Sequence, residues 1–132
     1  MATHAITGEI SGLLDRLSAL MQARDPAIIE LFGEDDTTML IGSEPGELAR
    51  GRTAIASLFA AIFDSPNAIH WDWDVIDATG RDNVSWFYAE GSVVLVGAKE
   101  TVWRAYRLSG VLTRHDGGWR FAQFHGSEPM VG

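Results

Sequence analysis

The spacing of apolar residues changes once along this chain, at Pro66, and that change restricts the fold more than any other feature. Before it, Ile6, Ile10, Leu13, Leu14, Leu17, Leu20 and Met21 recur at helical spacing, with Glu9, Asp15, Arg16 and Arg24 between them. This predicts an amphipathic helix capped near Thr3 or Thr7. Asp25-Pro26 restarts a second helix, aspartate as N-cap and proline in the first turn, and Gly33 ends it. Residues 37–41 read as a short strand and 42–51 as a loop. Arg52-Thr53 opens a third helix with Ile55, Leu58, Phe59, Ile62 and Phe63 on one stripe. After Pro66 the period is two: Ile69, Trp71, Trp73 and Val75 alternate with His70, Asp72, Asp74 and Ile76. Long strands follow over 84–96, 102–114 and 119–127, with a bulge expected at Gly91. Helices first and antiparallel strands after define an α+β domain, its helices packed on one face of a curved sheet.

Charge and composition remove several classes of function. The 132 residues suit a single domain, 1–132, and the net charge of −8 repels nucleic acid because no Lys/Arg cluster offsets it. Zero cysteines exclude disulfides and thiolate metal sites, and no spaced ligand set such as HExxH is present, so no metal is expected. Gly42, Gly46 and Gly51 are too dispersed for a phosphate loop and accompany Glu44 and Glu47, so no nucleotide cofactor is expected either. The longest nearly unbroken apolar run, 54–63, is roughly half a bilayer span, which predicts no membrane partner. The first residues lack the basic stretch and apolar run of a signal peptide, which favours the cytoplasm.

The closing hairpin, residues 106–129, decides which side chains share a face. A three-residue loop, His115-Asp116-Gly117, pairs Leu108 with Phe124, Gly110 with Ala122 and Tyr106 with Gly126, leaving an apolar inner face with small residues. Arg107, Ser109, Val111, Phe121, Gln123 and His125 then fall on the other face, together with Trp119. A mixed aromatic face on a sheet already covered on its other side predicts a second subunit. The expected interface is Arg107, Trp119, Phe121 and Gln123, in a homodimer.

Few residues suggest chemistry. Glu90 shares its parity with Trp86 and Tyr88, and a carboxyl among aromatic rings would act as a general acid or base. His125 is a second catalytic candidate, as a proton shuttle near neutral pH. Asp72 and Asp74 point to one face but read more simply as a solvated strand edge. Trp73, Trp86, Tyr88, Tyr106 and Phe124, with space left by Gly110, would wall an apolar pocket for a small cyclic or aromatic molecule.

The helix order and the ending GGWRFAQFHGSEP resemble the nuclear-transport-factor-two-like superfamily, in particular SnoaL-like domains and the association domain of calmodulin-dependent protein kinase. The resemblance rests on Asp116, Gly117, Trp119, His125 and Ser127, and on Gly51 before the third helix. It implies a cone: a curved antiparallel sheet wrapped around three N-terminal helices, a cystatin-like α+β barrel. The position of the ketosteroid isomerase aspartate is about Ile41 here, which is apolar. The kinase domain's basic pocket positions correspond to about Glu90, Gly110 and Gly126, which implies a site for a neutral or cationic ligand. The combined expectation is a domain binding a small apolar molecule, with cofactor-free acid–base chemistry of isomerase, cyclase or hydrolase type. The alternative is a non-catalytic homodimeric module that binds a ligand or a protein.

Overall fold

The computed structural model describes residues 2–130. Helix α1 (Ala2–Gln22) leads into a 3-10 segment (Pro26–Leu31), then strands β1 (Met39–Ile41) and β2 (Leu48–Arg50) and helix α2 (Arg52–Phe63). Four long strands complete the chain: β3 (Ala68–Arg81), β4 (Val84–Val96), β5 (Thr101–His115) and β6 (Gly118–Ser127). They form one curved sheet in the order β2-β1-β6-β5-β4-β3. The fold is the expected α+β arrangement, with two refinements. The β1–β6 pair is parallel, so the sheet is mixed, and β2 and β3 remain as free edges, so it does not close into a barrel.

Helix α1 lies against β3 and buries Ile10, Leu14 and Leu17 completely, the stripe its spacing predicts. Each such side chain contributes about 1.5–3 kcal/mol. Thr7 lies inside this helix and caps nothing; the Thr3 side chain is outside the described set. Ser18 on α1 satisfies the free edge of β3: its hydroxyl accepts from the Trp71 N–H (2.8 Å) and donates to the Trp71 carbonyl (3.1 Å). The second predicted helix is a 3-10 segment of six residues, N-capped by Asp25, whose carboxylate accepts from Ala27 N–H at 2.9 Å. It cannot lengthen, because Gly33 N–H is already committed to the Phe121 carbonyl (2.9 Å). The presumed loop 42–51 contains β2, an edge strand paired antiparallel with β1.

The closing hairpin corrects the expected register. Its loop is two residues, Asp116-Gly117, with φ of 49° and 81°, the left-handed pair that suits the twist of the flanking strands. A bulge follows: Leu112 pairs with Phe121 but Val111 pairs with Gln123, leaving Ala122 without a partner. One extra residue reverses side-chain parity. Trp119 and Phe121 before the bulge, and Phe124 and Gly126 after it, therefore share the inner face. The outer-face placement of Trp119 and Phe121 is thus overturned. Phe121 is fully buried against Phe32, Phe87 and Phe124, with ring centroids 5.1–6.0 Å apart. Trp119 donates its indole N–H to Glu9 of α1 (2.9 Å) beneath Arg114, which also bonds Glu9 (3.1 Å) and lies 4.3 Å over the indole ring. Arg107, Gln123 and His125 are exposed on the outer face, where the sequence placed them.

Candidate functional site

A cavity of about 130 Å³ opens at one end of the sheet, beneath α2 and beside the 42–47 connection. It approaches the roughly 150 Å³ void that holds a benzene ring in an apolar protein core. Each wall has a distinct origin. Helix α1 supplies Met21, and α2 supplies Phe59 and Ile62 from its apolar stripe. Strands β3 and β4 contribute Ile69, Trp71, Val93 and Leu95, and Leu40 and Phe124 come from the parallel β1–β6 pair. Tyr106 crosses the site from β5. Glycine is required opposite it, because a Cβ at Gly126 would lie 1.8 Å from the Tyr106 hydroxyl oxygen. Tyr106 is further held by Trp71 and Trp73, at centroid separations of 5.9 and 6.3 Å, and the two indoles stack on each other at 6.2 Å and 13°.

The mouth is acidic. Glu44 and Glu47 arrive on the connection between β1 and β2, and Glu128 follows β6. Arg104, the one cation among the described residues that line the cavity, pairs with Glu128 (3.4 Å), which also accepts from the Ser43 hydroxyl (3.1 Å). Glu47 accepts from the Glu44 N–H (3.0 Å), which fixes the turn and holds that carboxylate beside Gly42. The Tyr106 hydroxyl feels Ser43, Glu47 and Glu128 among these groups. Burial pushes its pKa well above the usual tyrosine range. The Ser43 hydroxyl acts against that, Glu47 and Glu128 add to it, and the Trp71 indole opposes it. The hydroxyl therefore stays protonated, a donor rather than a base. The Trp73 indole N–H is buried with no hydrogen-bond partner among the described residues, and the buried Trp71 indole N–H is turned to the Tyr106 hydroxyl.

Of the residues the sequence put forward as pocket walls, Tyr106 and Phe124 line this cavity. Trp73 is half-buried and backs Tyr106 without lining the void. Gly110 is buried opposite Phe124, where an added Cβ would meet the Gln123 carbonyl oxygen at 2.2 Å; it serves strand packing. Trp86, Tyr88 and Glu90 are corrected: all three are exposed on the outer face of β4. The inner positions of that strand are Ser85, Phe87, Ala89, Gly91 and Val93, mostly small, so the bulky rings turn outward instead. Glu90 accepts a hydrogen bond from the Tyr88 hydroxyl, whose pKa rises chiefly through that bond. His125 is likewise exposed on the outer face and is not among the residues that line the cavity. Among the lining residues, sequence reasoning passed over Ser43, Glu47, Arg104 and Glu128, and it grouped Trp71 with the other aromatic residues without placing it on the wall. Trp71 shares the parity of Trp73, and both turn inward from β3. The glutamates of the 42–51 segment were visible only as reasons against phosphate.

A family model for the SnoaL-like domain matches residues 10–131. The chain belongs to the SnoaL-like domain family. Solved structures of the same fold include a nuclear transport factor 2 (NTF2-like) superfamily protein from Salmonella enterica serovar Typhimurium. It is 19% identical, with a TM-score of 0.81, over 97% of this chain and 94% of that one. A proposed dehydratase of the NTF2-like family from Streptomyces avermitilis is 14% identical, with a TM-score of 0.80, over 97% and 99% of the two chains. A proposed calcium/calmodulin-dependent protein kinase II association domain from Xanthomonas campestris is 18% identical, with a TM-score of 0.81, over 93% and 88%. At these identities the likeness is one of fold. A search of curated proteins returns no match. No helix among the described residues is long and apolar enough to cross a membrane.

Proposed function

We propose that this SnoaL-like domain binds a small, largely apolar molecule in the cavity behind Tyr106 and carries out cofactor-free acid–base chemistry on it. The observation that carries the reading is the cavity itself: aromatic and aliphatic walls closed by a buried tyrosine hydroxyl, with carboxylates gathered at one end. The roles divide by protonation. Glu47, and Glu128 once released from Arg104, are the proton acceptors, while the Tyr106 hydroxyl, kept neutral by burial, donates a hydrogen bond to oxygen that gains charge. Elimination of water needs one group of each kind, and a dehydratase assignment on a similar fold makes that reaction class the first to assay.

The test is an NMR titration of labelled protein with single-ring fragments, in wild type and in a Val93→Phe variant that fills the void. Shifts should cluster on Phe59, Trp71, Tyr106 and Phe124 and vanish in the variant. Shifts confined to the outer face, or none at all, would refute the cavity as the site.

A second reading, the homodimeric module, is favoured by Trp86 at 48% and Tyr88 at 38% exposure on the uncovered sheet face, beside Arg107, Gln123 and His125. In this reading Trp86→Glu converts a dimer to a monomer in sedimentation analysis. An unchanged sedimentation coefficient at matched concentration would remove that face from the interface.

A further inference from the structure

We propose that Ser43 couples the Tyr106 hydroxyl to the Glu128 carboxylate and passes protons between them, a positioning role that rests on the acid–base reading above and joins its two groups.

Segments far apart in the sequence bring these groups together. The parallel pairing of β1 with β6 sets Ile41 beside His125, so the chain leaving β1 runs on past Gly126 and delivers Ser43 to Glu128. The Ser43 hydroxyl donates to Glu128 Oε2 at 3.1 Å, while Arg104 holds the other carboxylate oxygen, Oε1, at 3.4 Å. Tyr106 reaches the same place from β5. A Cβ on Gly126 would lie 1.8 Å from its hydroxyl oxygen, and Glu128 follows Gly126 closely in the chain. Ser43, Tyr106 and Glu128 all line the cavity.

The supply of donors and acceptors gives the direction. A serine hydroxyl has one hydrogen and two acceptor positions, and an indole nitrogen can only donate. Ser43 spends its hydrogen on Glu128, so toward Tyr106 it accepts. The Tyr106 oxygen meets both the Trp71 N–H and Ser43, which leaves Ser43 as the acceptor for the phenol hydrogen. The order is therefore Trp71 to Tyr106 to Ser43 to Glu128, with Arg104 at the outer end. Each hydroxyl reverses by rotation about its own C–O bond.

Reversal closes the proton cycle of an elimination of water. Glu128, released from Arg104, takes the proton from carbon. The C–O bond breaks as the carbon–carbon double bond forms, and the Tyr106 proton goes to the departing hydroxyl, which leaves as water. Protonated Glu128 then gives its proton to the Ser43 oxygen as Ser43 gives its own to the Tyr106 oxygen. Carboxylate, serine and phenol are all restored, with no proton drawn from solvent.

The experiment titrates Tyr106 itself, with no ligand present. The chain has two tyrosines, so Tyr88→Phe leaves Tyr106 as the only phenol. Incorporated there, 3,5-difluorotyrosine ionises well below tyrosine, and fluorine NMR follows it. Ser43→Ala should raise the midpoint by about one pH unit, because the phenolate loses a hydrogen-bond donor, and Ser43→Thr should restore it. Glu128→Gln should lower the midpoint, and by less in the Ser43→Ala background than with serine in place. An unchanged midpoint in Ser43→Ala would overturn the contact. Equal effects of Glu128→Gln in both backgrounds would mean that the carboxylate acts through space alone, and would overturn the coupling. Either failure stands apart from failure of the cavity reading, which the fragment titration decides.

Discussion

Replacing Gly126 by alanine tests how the site is built. The new Cβ would sit 1.8 Å from the Tyr106 hydroxyl oxygen, 2.6 Å from Cζ and 3.1 Å from Cε1. Ordinary contact requires the hydroxyl to retreat by roughly 1.5 Å or more. The ring has little freedom elsewhere, because Trp71 and Trp73 pack on it and it is only 5% exposed. The open direction is the cavity, so Tyr106 is driven into a space of about 130 Å³ and occupies part of it. Overpacking of this kind costs about 1–3 kcal/mol, corresponding to a fall in Tm of about 4–12 °C for a domain of this length. Urea denaturation gives the first quantity, and the fragment titration shows whether the void has closed. Adding Tyr106→Phe removes the nearest clashing atom, so the double variant should recover part of the loss and depart from additivity by about 0.5 kcal/mol or more. A Gly126→Ala protein of wild-type stability and unchanged fragment binding would refute the claim that this glycine positions the tyrosine.

Three further outcomes follow from particular contacts. Above pH 10, the ordinary tyrosine value, the unfolded chain loses the Tyr106 proton while the folded chain keeps it, so folding stability falls as pH rises toward the elevated folded value. One such group contributes a slope of at most about 1.4 kcal/mol per pH unit, and stability-versus-pH curves of wild type and Tyr106→Phe should converge by that increment; parallel curves would contradict the burial of the hydroxyl. Trp119→Phe removes the hydrogen bond to Glu9 and should cost about 1.5 kcal/mol in urea denaturation with no change in association state. The reverse result, altered association at full stability, would return Trp119 to the outer face. Gly117→Ala forces alanine to φ of 81° in the hairpin turn and should destabilise by about 1 kcal/mol; a neutral substitution would mean that the two-residue turn is not the one formed.

Local pattern suffices for the first helix and for the alternating strands. Helical spacing in residues 6–21 and alternation after Pro66 are properties of consecutive residues, and both elements form where those spacings place them. The SnoaL-like fold was legible for the same reason, and for its closing Asp-Gly-x-Trp strand. Face assignment needed more. Trp119 and Phe121 have one parity and Phe124 and Gly126 the other, and all four are buried because Ala122 is an unpaired residue between them. Large apolar residues three apart in a strand, as Phe121 and Phe124 are, can share a face only across such a bulge. On β4 the alternation was plain, but the choice of inner face was not. The rings of Trp86 and Tyr88 look like core until Ala89 and Gly91 are seen to lie on the buried side.

The amino-acid order by itself determined the α+β architecture, the extents of the four long strands within a few residues, and an aromatic interior that includes Tyr106 and Phe124. Those follow from periodicity, which acts over neighbours along the chain. The tertiary structure alone decided that the acidic 42–47 connection folds back on β1 and carries Glu44 and Glu47 to the mouth of the cavity, where Arg104 and Glu128 meet them from strands far later in the sequence. A site of this kind is made by the register of β1 against β6 and by where one bulge falls, and both are set by pairing between distant segments rather than by any residue's own neighbours.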